Sequence, residues 1–212
     1  MPEQSDNPPT ILRNDGRRLA YAEYGAGDGI PVFHFNGSGG SRLEWPGDTA
    51  MLEDIGVRFI GMDRPGHGYS TFQENRTLLG WAGDVVALAD HLKIDRFYVE
   101  GWSAGGAYAL ACAHSLPERV IAGAVLSGIG PFDRPSPYDG LNEQIKSWMI
   151  NARNHPDRVY EFRSMMATAL DSQSAEAIGG MLKRVAFNLV YLTDLSRLLA
   201  RHDYRCGTCT MR

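Results

Sequence analysis

A serine flanked by glycines follows a short apolar run in the segment FYVEGWSAGGAYALA, residues 97–111. Gly101, Ser103 and Gly105 fit the pattern G-x-S-x-G between a predicted strand and a predicted helix. So sharp a turn strains the backbone at its central residue and leaves room only for very small side chains two positions away. It also lifts the serine hydroxyl to the positive end of the following helix. The pattern predicts a nucleophilic serine; the alternative is a glycine-rich turn with an incidental serine.

Acyl transfer by a serine nucleophile also needs hydrogen-bond donors for the oxygen that becomes negative in the transition state. The backbone N–H of Ala104, directly after the serine, is one candidate donor. The segment HFNGSGGSR, residues 34–42, is predicted to supply the second, because its glycines let main-chain N–H groups face the site. Spacing argues against a phosphate loop, since the third glycine of G-x-G-x-x-G would fall on Arg42. A plain flexible turn is the other alternative.

Strands and helices are predicted to alternate around these two segments. Residues 11–24 predict a hairpin around an Asn-Asp-Gly turn. Apolar runs predict buried strands at 30–35, 57–63, 96–101 and 119–130. Helical periodicity or position predicts helices at about 43–55, 77–93 and 104–116. This alternation predicts an α/β fold with a mostly parallel sheet and helices on both faces.

The pattern changes after Pro131, where a loop rich in Pro, Asp and Ser leads into a region that is helical almost to the end. We therefore predict an α/β core over 1–132, a helical cap over 133–203 and an atypical tail over 204–212. Large apolar side chains of the cap would suit an apolar acyl or ring group, or would only seal the cap onto the core: Trp148, Met149, Phe162, Met165 and Met166.

The chain resembles the N-terminal two-thirds of α/β-hydrolase-fold proteins. Three motifs carry this resemblance. NGSGGSR (36–42) resembles the oxyanion loop, MDRPGHGYS (62–70) resembles the loop after strand four, and GWSAGG (101–106) resembles the nucleophile elbow. The resemblance covers residues 11–132 through specific motifs, and 133–202 only as a generic helical cap. It implies the α/β-hydrolase type of sheet, with the last strands missing from this sequence.

By position, the resemblance implies that Ser103 is the nucleophile and that the N–H groups of Ser38 and Ala104 hold the oxyanion. Four further residues would support the two loops: Asn36, Gly37, Gly101 and Gly105. Asn36 stands where the family usually has His, and Gly39 where it often has Pro. Neither change removes an N–H donor, so the oxyanion site is expected to survive.

Three polar residues of the loop after strand four are expected to be structural. Asp63, Arg64 and His67 are predicted to make turn hydrogen bonds and an Asp–Arg pair. The family's base does not come from this loop.

The acid and the base of a catalytic triad are not evident. In this fold the order along the chain is Ser, then Asp or Glu, then His. The three histidines after the serine are His114, His155 and His202, and none lies on a loop after a final strand. Asp133 follows the last predicted strand and is the candidate acid, although a loop or helix-capping role is favoured for it.

An intact fold of this type would return to the sheet for roughly 50 more residues. The sequence instead ends on RHDYRCGTCTMR, so we expect a truncation or a lost reading frame, with an incomplete triad and impaired activity. The strand at 119–130 would then be an exposed apolar edge that promotes aggregation. Cys206 and Cys209 are expected to be a chance C-x-x-C rather than a redox or zinc pair, and Cys112 a small core residue.

Composition is that of an ordinary soluble globular protein, with 43% apolar and 22% charged residues and a net charge of −4. Without a basic block, a nucleic-acid or anionic-membrane partner is not expected. The sequence shows no signal peptide and no run of about 18 apolar residues, so we expect a cytoplasmic protein. Its oligomeric state is left open.

The function expected from these observations is hydrolysis of a small-molecule acyl substrate: an ester, a lactone or an activated carbon–carbon bond. No metal or organic cofactor is implied. The alternative is a non-catalytic binding protein with the same pocket, because an unassisted serine hydroxyl is a weak nucleophile. An acyltransferase or a perhydrolase-type enzyme stays open, whereas haloalkane dehalogenases and epoxide hydrolases carry Asp where this chain has Ser103.

Overall fold

The structure is a computed structural model that describes residues 8–44, 48–130, 135–141, 143–155, 157–159 and 161. It divides into two compact units, Met1–Pro137 and Tyr138–Arg212. Most of the predicted cap and the whole predicted tail lie outside the described residues, as does the predicted boundary at 132. In the second unit, helix α4 (Glu143–Asn154) is described, with an ion pair of 3.6 Å between Lys146 Nζ and Glu143 Oε1.

The first unit is built on one six-stranded sheet with the order β1-β2-β4-β3-β5-β6. The strands are β1 (Thr10–Leu12), β2 (Arg18–Gly25), β3 (Ile30–Phe35), β4 (Val57–Met62), β5 (Phe97–Trp102) and β6 (Val120–Leu126). β1 and β2 form the predicted hairpin, and β2 also pairs antiparallel with β4. All other pairings are parallel. The prediction of a mostly parallel α/β sheet is therefore confirmed.

Three helices connect the parallel strands: α1 (Thr49–Asp54), α2 (Leu78–His91) and α3 (Gly105–Ser115). The predicted helix at 43–55 is shorter than expected. It begins at Thr49, because the Asp48 carboxylate caps the helix by accepting the Ala50 N–H at 2.9 Å. Residues 41–44 form a turn instead, in which the Glu44 N–H donates to the Ser41 carbonyl. Within the part of the chain that the structure describes, we find no helix long and apolar enough to cross a membrane.

Helices cover both faces of the sheet, as the sequence predicts. On one face, α2 and α3 pack on the strands and bury their apolar side chains; this core includes Phe33, Phe35, Trp81, Val85, Leu88, Phe97 and Cys112. Burial raises the pKa of the Cys112 thiol to about 12, which fits the core role predicted for it. On the other face, Leu52 of α1 packs against Tyr24 and Phe59.

The sheet order brings two chain segments together at one edge. β3 and β5 are parallel neighbours with Phe35 opposite Gly101, so their carboxyl ends coincide. The loop after β3 and the turn after β5 must therefore meet, as they do at the ligand-binding edge of open α/β sheets. β6 lies beside β5 at the outer end of the described sheet. This strand ends at Leu126 and not at the predicted residue 130, because the chain turns at Ser127, whose φ is 50°.

Candidate active site

The turn after β5 has the strained geometry predicted for a nucleophile elbow. Ser103 has a φ of 52°, which a residue with a side chain rarely adopts. Two hydrogen bonds fix this conformation: the Ser103 N–H donates to the Leu126 carbonyl at 2.8 Å, and the Gly106 N–H donates to the Ser103 carbonyl at 3.1 Å. The turn therefore connects the ends of β5 and β6 and leads directly into α3.

The glycines of this turn are required because neighbouring backbone and side-chain atoms occupy the space that a Cβ would take. A Cβ on Gly101 would overlap the backbone of Gly105, and a Cβ on Gly105 would overlap the carbonyl oxygen of Phe35. A Cβ on Gly106 would lie 2.6 Å from a methyl carbon of Val125. Contacts with β3 and β6 therefore explain why small residues flank the serine.

The loop after β3 lies against the elbow. A Cβ built on Gly37 would lie 3.6 Å from Ser103 Cβ and 3.4 Å from the Trp102 ring, so the two segments are in van der Waals reach. Asn36 is buried at 1% exposure, whereas Ser38 is exposed. Ser103 and Ala104 are half-buried. The structure thus brings the predicted loop and the predicted nucleophile together.

Arg64 binds this loop through two backbone carbonyl groups. Its guanidinium is buried and donates two hydrogen bonds of 2.7 Å, from Nη1 to the Asn36 carbonyl and from Nη2 to the Gly37 carbonyl. The same group lies 5.1 Å from the centre of the Tyr108 ring on α3. Burial lowers the pKa of Arg64 from its ordinary value, which is the cost of placing this cation under the loop.

These contacts orient the peptide that carries the Ser38 N–H. The N–H and C=O of a trans peptide point in opposite directions. Because the Gly37 carbonyl faces Arg64, the Ser38 N–H faces away from it. No described residue accepts a hydrogen bond from this N–H or from that of Ala104, which begins α3 without a side-chain cap.

A second anchor of the loop is Asp63, at the end of β4. Its fully buried carboxylate accepts the Arg42 N–H at 2.7 Å and the Arg42 Nη1 at 2.8 Å. The predicted Asp–Arg pair exists, but its arginine is Arg42 and not Arg64. His67 is half-buried, and its pKa is lowered first by burial and then by the charge of Arg64.

Three further polar residues near the loop were missed by the sequence argument. His34 of β3 is 4% exposed, and its Nδ1 lies 2.5 Å from Glu100 Oε2 on β5. Glu44 Oε2 lies 3.4 Å from His34 Nε2 and accepts the Gly37 N–H at 2.8 Å. The available signal was a polar residue inside each of two apolar runs, IPVFHF and RFYVEG.

The structure brings no triad base or acid to the serine among the residues that it describes. No described side chain makes a hydrogen bond to Ser103 Oγ, and His114 is exposed in the last turn of α3, about 14 Å along the helix from its start. His155 is exposed in the second unit. Asp133 and His202 lie outside the described residues.

Metal chemistry has no support from the described residues, which contain no group of three or more His, Cys, Asp or Glu side chains able to hold an ion. The expectation that no metal or cofactor is needed stays a prediction.

A sequence model of the alpha/beta hydrolase fold matches residues 30–163, more than half of the chain. This chain belongs to the α/β-hydrolase family. The match begins at β3 and includes the oxyanion-type loop and the elbow. The resemblance drawn from the three motifs is therefore confirmed for fold and family.

Named relatives place the chain among varied α/β hydrolases. It is 29% identical to the dihydrolipoyllysine-residue acetyltransferase component of the acetoin cleaving system of Pseudomonas putida over 96% of this chain and 55% of that protein. It is 34% identical to a proline iminopeptidase of Arabidopsis thaliana over 72% of this chain and 39% of that protein. The crystal structure of a hydrolase from Pseudomonas aeruginosa PA01 superposes with a TM-score of 0.52 and 27% identity, covering 60% of this chain and 49% of that one. The chain thus spans about half the length of these proteins.

Proposed function

We propose that this chain carries the nucleophile and the oxyanion donors of a serine acyl hydrolase acting on carboxylic esters, lactones or activated carbon–carbon bonds. The observation that carries the proposal is the pair of N–H groups, on Ser38 and Ala104, that have no acceptor among the described residues and lie on the two loops that meet at Ser103. Unpaired main-chain donors beside a strained serine are what a tetrahedral oxyanion needs.

In the proposed reaction, Ser103 Oγ attacks the substrate carbonyl carbon and a base takes the hydroxyl proton. The carbonyl oxygen becomes negative and accepts hydrogen bonds from the N–H groups of Ser38 and Ala104. Collapse of this intermediate returns the electron pair to the carbonyl and expels the leaving group, which takes the proton from the base. Water then releases the acyl group from the serine. The positive end of α3 adds to the stabilisation of the oxyanion.

The base and acid of this scheme are expected among residues outside the described ones, because no described side chain bonds to Ser103 Oγ. Asp133 stays the candidate acid, although a loop or helix-capping role is favoured for it. If the acyl-serine forms, an acceptor other than water could also take the acyl group, which fits the name of the acetyltransferase-component relative in Pseudomonas putida.

A second candidate function is binding of a small ligand without catalysis. It is favoured by one observation: no described residue bonds to Ser103 Oγ, and an unassisted hydroxyl reacts slowly with carbonyl compounds. Both candidates use the two loops that meet at Ser103, and they differ in whether the serine is activated.

Phosphonylation separates the two functions. A fluorophosphonate probe reacts when the serine oxygen attacks phosphorus and fluoride leaves. We expect the 212-residue chain to gain one adduct on Ser103 and to hydrolyse p-nitrophenyl acetate, both slowly because the triad is expected to be incomplete, and both signals to vanish in Ser103→Ala. The matched control is Ser127→Ala, an exposed serine with a φ of 50° at the end of the neighbouring strand, which should label like the unsubstituted chain. Absence of labelling in a chain shown to be folded by circular dichroism would favour the binding protein.

A further inference from the structure

A buried charged cluster lies beneath the oxyanion loop, on the sheet face opposite the α2–α3 core. His34 and Glu100 are direct neighbours across the β3–β5 pairing, and their side chains meet with 2.5 Å between Nδ1 and Oε2. Glu44 approaches the other side of the same ring, at 3.4 Å from Nε2. The side chains of Glu44 and Glu100 are 21% and 15% exposed, so neither carboxylate is freely hydrated. Two carboxylates therefore face one imidazole in a largely desolvated site.

Glu44 joins this cluster to the loop. Its Oε2 accepts the Gly37 N–H at 2.8 Å, while the carbonyl of the same peptide, that of Asn36, accepts Nη1 of Arg64. The carboxylate fits beneath the loop because Gly40 has no side chain: a Cβ there would lie 2.6 Å from Glu44 Oε1. The Asn36–Gly37 peptide is thus held on both sides by opposite charges.

The next peptide carries the Ser38 N–H, and its direction depends on how the preceding peptide is held. We infer that Glu44, held in place by His34, is a positioning residue that fixes the Gly37 amide and thereby aims the Ser38 N–H at the oxyanion. The part of this inference that concerns the oxyanion rests on the proposed function, whereas the fixing of the Gly37 amide does not.

The cluster predicts that the hydrogen bond from the Gly37 N–H to Glu44 depends on pH. Burial is the largest influence on His34 and lowers its pKa, but the hydrogen bond to Glu100 and the contact with Glu44 together raise the pKa above 6.5. Two charged groups face the His34 ring: Glu100 from β5 and Glu44 from the loop. The uncharged ring of Phe59 from β4 stacks on the His34 ring with 5.0 Å between the ring centres. The positive charge of Arg64 attracts the carboxylate of Glu44. When His34 loses its proton, two nearby carboxylates lose the cation between them and repel each other. Glu44 is then expected to release the Gly37 N–H.

Nuclear magnetic resonance of the full chain with ¹⁵N-labelled glycine tests the positioning directly. We expect the Gly37 amide proton to resonate downfield at about pH 6 and to move upfield as the pH rises, with a midpoint above 6.5 that matches the His34 ring. In Glu44→Gln, which keeps the shape but not the charge, this step should be lost. The matched control is Glu23→Gln, a glutamate paired with Arg58 on β2 and β4, which should keep the step.

The rate at which a fluorophosphonate labels Ser103 tests whether Glu44 affects the oxyanion donors. Near neutral pH, Glu44→Gln should slow labelling by about tenfold or more, less than the hundred- to thousandfold typical for loss of a whole oxyanion donor, and Glu23→Gln should not. Two results overturn the inference: a Gly37 amide chemical shift that does not change with pH in the unsubstituted chain, or a full change that is retained in Glu44→Gln. The first result is obtained on the unsubstituted chain, so it does not depend on whether a variant folds. A normal Gly37 step in a chain that never labels supports the positioning and contradicts the proposed function instead.

Discussion

Replacing Arg64 by methionine tests how the loop after β3 is held. Methionine has a similar reach and suits a buried site, but it donates no hydrogen bond. The substitution therefore removes both 2.7 Å contacts to the carbonyls of Asn36 and Gly37 while filling much of the same space. Both carbonyl groups belong to buried residues, so water does not simply replace the guanidinium.

The expected loss follows from these contacts. A hydrogen bond to a charged group contributes about 1.5–3 kcal/mol, so two contribute about 3–6 kcal/mol. Part of this is offset, because the lowered pKa of Arg64 shows that its charge is held at a desolvation cost, which methionine relieves. We expect the free energy of unfolding to fall by about 2–4 kcal/mol. The freed Gly37–Ser38 peptide should also rotate, so labelling of Ser103 should slow by about a hundredfold.

Two assays measure these effects on the same samples: urea unfolding followed by circular dichroism, and the rate of fluorophosphonate labelling. Arg96→Met is the matched control, since Arg96 is exposed and its replacement should change the free energy of unfolding by less than about 0.5 kcal/mol. If Arg64→Met behaves like Arg96→Met in both assays, the loop is not held by this guanidinium and the reasoning fails.

Three further outcomes follow. Gly105→Ala should lower the free energy of unfolding by about 1–3 kcal/mol, because its Cβ overlaps the Phe35 carbonyl, whereas Gly27→Ala, with open space around it, should be near neutral in the same urea melts. The raised pKa of His34 stabilises the fold below pH 6.5 and this stabilisation is lost as the pH rises through the folded-state value, so urea midpoints should fall across that range and hardly change in His34→Gln. Ile121→Lys on β6, the outermost strand of the described sheet, where Ile121 is 42% exposed, should reduce self-association in sedimentation, and an unsubstituted chain that is monomeric at all concentrations would contradict this.

Local sequence patterns predicted the elements that depend on local interactions. The elbow at Ser103 was predictable because glycine spacing, strand and helix signals all lie within a few residues of it. The sheet and its parallel strands followed from short apolar runs alternating with helical periods. The loop after β3 could be placed beside the elbow only through the resemblance, since nothing local determines that β3 and β5 are neighbours.

Side-chain partners across the sheet could not be predicted in the same way. Asp63 was expected to pair with an arginine of its own loop, but the turn at 41–44 brings Arg42 closer. The sequence places His34 and Glu100 only within buried strands, because their pairing depends on a register that no single strand encodes. The start of α1 was misplaced because Glu44, which lies within the predicted helix at 43–55, is instead bound to the Gly37 amide.

We propose that the N–H groups of Ser38 and Ala104 converge on an oxygen attached to the atom that is bonded to Ser103 Oγ. A crystal structure of the phosphonate adduct tests it most directly. We predict one phosphoryl oxygen within about 2.7–3.1 Å of both backbone nitrogens. An adduct whose oxygens contact neither nitrogen, or a folded chain that forms no adduct at Ser103, would contradict the account.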